Sequence, residues 1–220
     1  MATKTWYLTN NSVSIGSDMS ETDPGTEAYR SPTTGWIVST GSTNRSAYYN
    51  DVERAASTFA DTTPPDGSLD TTNGDFWVTD QTYSGDFASA NWTISVCVRA
   101  QTGGDTHDGL AYARIFRGAN QDGSGATEIT SGATAGTGIT NLVTSATQTS
   151  TITVNPGAFT VTNEYIFIQI AYERTGVGGM TNHDANIRIG NASSAGSRVL
   201  SSDFTVAAVT VRKLAAQGVG

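Results

Sequence analysis

Hydrophobic and polar residues alternate most regularly from Trp92 to Ala100. Every even position in this stretch is apolar, while Thr93, Ser95, Cys97 and Arg99 occupy the odd positions. Successive side chains of a β-strand point to opposite faces, so a period of two predicts a strand with one buried face. Cys97 is the only cysteine of the chain. We expect it to be a small structural residue on this strand and not a reactive thiol.

The stretch Tyr165–Tyr172 is apolar at even and odd positions alike. This pattern favours a central strand that is covered on both faces. Shorter runs, separated by turn sequences such as Asp122-Gly123 and Asn155-Pro156-Gly157, predict the other strands. These further strands are expected at 6–8, 35–39, 75–79, 110–117, 150–154, 186–190 and 204–212.

Helical periodicity is confined to one short run within 51–60, so the pattern favours an all-β chain. We predict an antiparallel β-sandwich of the jelly-roll type over residues 35–213. Residues 1–34 show little periodicity and are predicted to form a loosely structured N-terminal arm, whose deletion would leave the sandwich folded. Residues 214–220 form a C-terminal tail. The predicted core contains Trp92, Ile94, Val96, Ile168, Ile170, Ile187, Ile189 and Phe204.

The composition narrows the range of partners. The chain has 220 residues, 15% of them charged, and a net charge of −8. Nucleic acids and anionic membranes are bound through clustered Lys and Arg, but Lys4 and Lys213 are the only lysines. We therefore expect neither a nucleic acid nor a membrane as partner. The N-terminus lacks the apolar segment of a secretory signal, so we expect synthesis in the cytoplasm.

Three arrangements invite a chemical interpretation. Asn120–Gly125 resembles half of a calcium loop, but it lacks the Glu of the twelfth position, and a hairpin turn explains it without an ion. His107 and His183 each precede an aspartate in a predicted loop, where solvated side chains are the usual outcome. Glu164 and Glu173 lie at opposite ends of one strand, about 30 Å apart, too far for a glycosidase pair. We predict no catalytic residue, no metal, no cofactor and no enzyme activity.

Aromatic side chains suggest one binding function. Exposed aromatic rings offer apolar faces on which sugar rings can stack. Trp36 and Trp77 belong to short predicted strands with polar flanks, and Tyr83 follows closely. We name Trp36, Trp77 and Tyr83 as candidate glycan-binding residues, with core packing as the alternative interpretation.

From Trp92 to Phe204 the chain resembles a loosely defined group of bacteriophage and prophage structural proteins. The resemblance lies in Trp92–Val96, Ala113–Arg117, Asn120–Thr130, Ala146–Tyr165 and the opening Met1–Leu8. It implies a virion protein, and it supplies no catalytic residues. We expect a head decoration (cement) protein, a homotrimer that binds the major capsid protein or other virion proteins and stabilises the shell. The alternative is a glycan-binding module of a tail or head fibre that attaches to a host surface glycan.

Overall fold

The computed structural model describes residues 2–13, 16–23, 28–30, 37–39, 75–100, 107–143, 146–177, 185–189 and 196–207. These residues form fifteen strands and no helix, which confirms the all-β prediction. Within the described ranges, accordingly, no helix is long and apolar enough to cross a membrane. The strands are β1 (Ala2–Val13), β2 (Gly16–Ser20), β3 (Ala28–Arg30), β4 (Ile37–Ser39), β5 (Asp75–Thr79), β6 (Tyr83–Phe87), β7 (Trp92–Ala100), β8 (His107–Gly118), β9 (Thr127–Glu128), β10 (Thr134–Ala135), β11 (Ile139–Leu142), β12 (Gln148–Val154), β13 (Phe159–Val177), β14 (Ala185–Ile189) and β15 (Arg198–Val206).

The strand pairings close on themselves. Eight strands follow one another in the order β12, β7, β15, β1, β2, β5, β13 and β8. Strand β6 continues β5 along β13 and also pairs with β15. The pairings β13–β5–β2–β1–β15–β6–β13 therefore form a ring of six strands. All described pairs are antiparallel except β2–β5 and β4–β13. Ring closure gives these strands partners in place of open sheet edges.

One large hydrophobic core contains side chains from all along the strand order, from β12 at one end to β8 at the other. Its largest side chains are the indoles of Trp6, Trp77 and Trp92, all fully buried. Each indole N–H has an internal acceptor, as buried tryptophans require. The acceptors are Tyr83 Oη at 2.8 Å, the Thr9 carbonyl oxygen at 3.1 Å and Ser202 Oγ at 3.0 Å.

Six members of the predicted core are confirmed as buried: Trp92, Ile94, Val96, Ile168, Ile170 and Phe204. Ile187 and Ile189 lie in β14, whose side chains fall outside the description. Strand β13 is buried on both faces from Ile166 to Tyr172, as the apolar run predicted. Ile168 and Ile170 point into the main core, and Phe167 packs on the other face. That face carries a smaller cluster of Phe76, Val78, Phe116, Ala126 and Phe167.

A buried ion pair accompanies this smaller cluster. Arg114 donates from Nη2 to Glu128 Oε2 at 2.7 Å and from Nε to Oε1 at 3.1 Å. The two side chains are 3% and 6% exposed. Glu128 Oε1 also accepts hydrogen bonds from the Thr130 hydroxyl and the Gly132 N–H. The pair therefore fixes the chain that follows β9 against the outer face of β8.

The structure corrects the predicted N-terminal arm. Residues 2–13 and 16–20 of the 1–34 segment form β1 and β2, two strands of the ring. Trp6, Leu8 and Met19 are fully buried. The period of two is hard to recognise here because β1 is irregular, with register shifts between Thr3 and Thr5 and again after Leu8. The predicted 214–220 tail lies outside the described residues.

Candidate functional site

The predicted glycan-binding residues do not form an exposed platform. Trp77 is fully buried and Tyr83 is 5% exposed, so both rings belong to the core. Trp36 lies outside the described residues. The structure thus places two of the three side chains where a sugar ring could not stack on them.

Tyr83 instead anchors a hydrogen-bond network at the end of the core. Its hydroxyl accepts from Trp6 Nε1 and donates to Glu21 Oε1 at 2.7 Å. Lys4 Nζ donates to both Glu21 oxygens, at 2.8 and 3.0 Å, and lies 5.4 Å from the centre of the Tyr83 ring. Burial raises the pKa of Tyr83, and its bond to Glu21 raises it further, against the opposing bond from Trp6. This network ties β1 and β6 to Glu21, the residue that follows β2.

The charge of Glu21 makes this network sensitive to acid. Burial raises the pKa of Glu21, but hydrogen bonds from Lys4 and Tyr83 and the charge of Lys4 outweigh it, so the net pKa is lowered from 4.5. A carboxyl whose folded pKa is depressed stabilises the fold above its unfolded pKa, and this stabilisation is lost as the pH falls through the folded value.

We therefore expect Glu21→Gln to reduce the free energy of unfolding by a constant amount between about pH 7 and about pH 5, and by less towards about pH 3. Urea unfolding of both proteins across this range would measure the difference. Thr22→Ala, an exposed neighbour, is the control. If the difference in free energy of unfolding between the two proteins is as large at about pH 3 as at about pH 7, the ionised Glu21 carboxylate is not the stabilising group.

Two other residues that the sequence analysis considered, Cys97 and Asp122, have contacts typical of structural residues. Cys97 is buried, with Sγ 3.3 Å from Thr149 Oγ1. Asp122 accepts a bond from the Ser124 N–H at 2.9 Å inside a tight turn, as the hairpin interpretation expected. The side chains of His107, His183 and Glu173 fall outside the description. Among the described residues, no group of three or more His, Cys, Asp or Glu side chains is placed to hold a metal ion.

The outer face of four neighbouring strands, β12, β7, β15 and β1, is rich in hydroxyl groups. Cross-strand pairing aligns its residues in two rows. Within these two rows all side chains are half-buried or exposed and none is acidic, while the next pair on β1 and β15, Thr3 and Asp203, places an exposed carboxylate at the border of the rows. We call this surface the hydroxyl face; its rows are Thr151–Ser95–Arg198–Tyr7 and Thr153–Thr93–Leu200–Thr5.

A shallow pocket opens where the pairing of β6 and β13 ends, at Phe87 and Phe159. Its volume is about 240 Å³. Asp86 and Thr160 are exposed on the outer face of the paired strands, whereas Phe87 and Phe159 point towards the core. The pocket is lined by Asp86, Phe87, Ala158, Phe159 and Thr160. Sequence reasoning missed these residues, because only the register of β6 against β13 brings Asp86 to Thr160.

No protein-family model and no curated protein matches the chain. Among solved structures, it is similar to a CocE/NonD family hydrolase from Staphylococcus aureus, with a TM-score of 0.51 and 9% identity over 93% of this chain and 37% of the other. It is also similar to an aminopeptidase from the marine sediment archaeon Thaumarchaeota archaeon, with a TM-score of 0.54 and 11% identity over 94% and 37%. At these identities the likeness is one of fold. The chain spans little more than a third of either protein.

These neighbours overturn the prediction that the chain has no enzyme activity. Both are named as hydrolytic enzymes, so this all-β fold occurs within enzyme chains. The prediction relied on missing motifs, and motifs detect only catalytic residues that lie close together in sequence. A shared fold does not assign a reaction, and no catalytic residue is transferred from either neighbour.

Proposed function

We propose that the chain is a virion structural protein of the head-decoration (cement) type, which docks on an assembled capsid shell through its hydroxyl face. The observation that carries the proposal is the chemistry of that face. Six of its eight aligned residues are Thr, Ser or Tyr, and the others are Leu200 and Arg198. Such a face can form many hydrogen bonds with a protein partner, and the nearest carboxylate, that of Asp203, lies at its border.

The shape of the hydroxyl face suits this role. Its residues project from paired strands, so their backbones are already ordered before binding, and little conformational entropy is lost on docking. Leu200, 40% exposed, lies in the second row between Thr93 and Thr5. An apolar side chain surrounded by hydroxyl groups is the arrangement of an interface with an apolar centre and a polar rim.

We extend the proposal to the fold, which we interpret as a jelly roll. The orders β1–β15–β7–β12 and β5/β6–β13–β8–β10 correspond to its two four-stranded sheets. Jelly rolls recur in viral capsid and lectin domains, which supports a virion role by analogy of fold. The expected homotrimer belongs to the same proposal, and light scattering of the purified chain would measure its mass.

A direct test begins with particles of the phage or prophage that encodes the chain. We expect mass spectrometry to find the protein in purified particles, and the purified protein to sediment with shells that lack it. The double variant Thr93→Glu, Thr151→Glu places two carboxylates on the hydroxyl face and should weaken this binding at least about tenfold, since unpaired charges in an interface are costly. Thr127→Glu, at the exposed position of β9, is the matched control.

Two results would contradict the proposal. The first is the absence of the protein from particles that assemble while it is expressed. The second is equal sedimentation of the double variant and the unsubstituted protein with shells. Two unpaired carboxylates buried in the interface must weaken docking, so equal binding would show that the shell binds another surface.

A further inference from the structure

Arg198 occupies an inner position of the hydroxyl face. In the first row it is paired with Ser95 of β7 on one side and with Tyr7 of β1 on the other. Leu200, the exposed apolar residue of the second row, follows two positions later on the same face of β15. Arg198 is half-buried, and it is the only charged residue of the two rows.

The charge of Arg198 is not compensated within the fold. Within the described ranges, its side chain has no hydrogen-bond or ion-pair partner. By contrast, Arg114 and Arg117 on β8 are paired with Glu128 and Glu164. In a chain of net charge −8, this cation on the hydroxyl face therefore stands without an internal counter-charge.

The described acidic residues around the face are distant or already engaged. Asp203 lies five residues after Arg198 on β15, which corresponds to about 16 Å of extended strand. Asp18 of β2 and Glu21, just after it, each accept hydrogen bonds from other side chains. The hydrogen-bonding capacity of Arg198 is thus open to a partner molecule.

Docking through the hydroxyl face, on which this inference rests, would remove Arg198 from water. A charge that is buried without a partner is strongly destabilising, so the docked surface has to offer an acceptor. A guanidinium presents its N–H donors in a planar fork that matches the two oxygens of a carboxylate. We infer that Arg198 is the specificity-determining residue of the docking face and pairs with an Asp or Glu carboxylate on the capsid shell.

The surroundings of Arg198 favour one carboxylate over a polyanion. A nucleic acid is bound through several clustered cations, and the net charge of −8 opposes it. Tyr7 and Leu200 instead supply contact area beside the single cation. Arginine and tyrosine are typical of the few residues that dominate a protein interface, where neighbouring contacts exclude water from the central interaction.

The test measures sedimentation of the full-length chain with shells that lack it, over a series of protein concentrations. Arg198→Gln removes the charge and should weaken binding at least about tenfold. Arg198→Lys keeps the charge but loses the planar fork, so its affinity should lie between the two. Arg117→Gln removes the same charge from β8, outside the hydroxyl face, and should bind as the unsubstituted protein does.

The carboxylate of the partner is tested on the shell itself. Treatment with a water-soluble carbodiimide and glycinamide converts exposed carboxyl groups of the shell into neutral amides, and electron microscopy establishes that the shells stay intact. We expect amidated shells to bind the unsubstituted protein at least about tenfold more weakly. Their affinity for Arg198→Gln should stay unchanged, because this variant has already lost the ion pair.

The inference is wrong if Arg198→Gln binds shells as tightly as the unsubstituted protein, or if amidation weakens both proteins equally. It is also wrong if Arg198→Gln binds shells normally but has a lower mass by light scattering, since the residue would then belong to a contact between copies of the chain. Circular dichroism first establishes that each variant is folded. If Arg198→Gln is not, Arg198→Lys and the amidated shells decide.

Failure of the docking proposal has a different signature. In that case neither the unsubstituted protein nor Arg117→Gln sediments with shells, and the inference about Arg198 falls with the proposal. If both proteins bind and only the Arg198 variants behave as the unsubstituted chain does, docking stands and the assignment of Arg198 alone is wrong.

Discussion

Deletion of residues 1–20 is expected to abolish folding of the chain. The deletion removes β1 and β2, and with them the partners of β15 and β5. It also removes Trp6, Leu8 and Met19, all fully buried. Loss of a single large core side chain costs about 2–5 kcal/mol, and whole domains are stable by only about 5–15 kcal/mol. Three such losses together with an opened ring exceed what a domain of this kind can tolerate.

Circular dichroism and amide NMR dispersion of the shortened chain would measure this effect, and we expect no cooperative thermal transition. Point variants test the same contacts in the full chain. Trp6→Ala should lower the free energy of unfolding by about 3–5 kcal/mol, while Thr3→Ala, on the exposed face of the same strand, should change it by less than about 0.5 kcal/mol. A shortened chain that unfolds cooperatively would restore the original arm prediction.

Glu128→Gln is expected to destabilise the chain by about 3–5 kcal/mol, because it leaves the buried guanidinium of Arg114 without its counter-charge. Three observations carry this value: two hydrogen bonds join the side chains, both are almost fully buried, and Glu128 also holds the following loop. Urea unfolding monitored by tryptophan fluorescence would measure the change.

The pair between Arg117 and Glu164 provides the matched control. Its Nη1–Oε2 distance is 3.3 Å, but the side chains are 34% and 24% exposed. Glu164→Gln should therefore cost no more than about 1 kcal/mol. The double variant Arg114→Met, Glu128→Gln should be more stable than Glu128→Gln alone, since it removes the unpaired charge. Equal or lower stability of the double variant would show that the buried charge is not the cause.

The strands that sequence predicted well are those whose inner and outer faces differ sharply. In β7 every inward residue is apolar, so alternation alone located both the strand and its core face. In β13 the apolar run reflects burial on both faces. Strand β1 was predicted only at residues 6–8 and not over its full length, because Thr9 and the polar residues after it follow only two core residues, Trp6 and Leu8. The local pattern cannot reveal that β15, far along the chain, pairs with such a strand.

The candidate sites were less predictable, because they depend on register between distant strands. Asp86 and Thr160 are 74 residues apart. The rows of the hydroxyl face combine residues from four strands, and each strand alone looks like an ordinary amphipathic one. The aromatic residues misled for a related reason. The polar flanks of Trp77 suggested that its side chain is exposed. Its position in β5 points into the core, however, and the Thr9 carbonyl oxygen accepts the hydrogen bond of its indole N–H, so the ring is fully buried.

The pairing of β1 with β15 has a consequence for biosynthesis. A ribosome that adds about 5–20 residues per second needs roughly 10–40 s to extend the chain from Trp6 to Val206. Throughout that interval β1 can pair with β2 but lacks β15, the second of its two antiparallel partners. The nascent chain therefore exposes one unpaired edge of β1 until translation reaches β15, and during this interval chaperone binding and low temperature protect against aggregation.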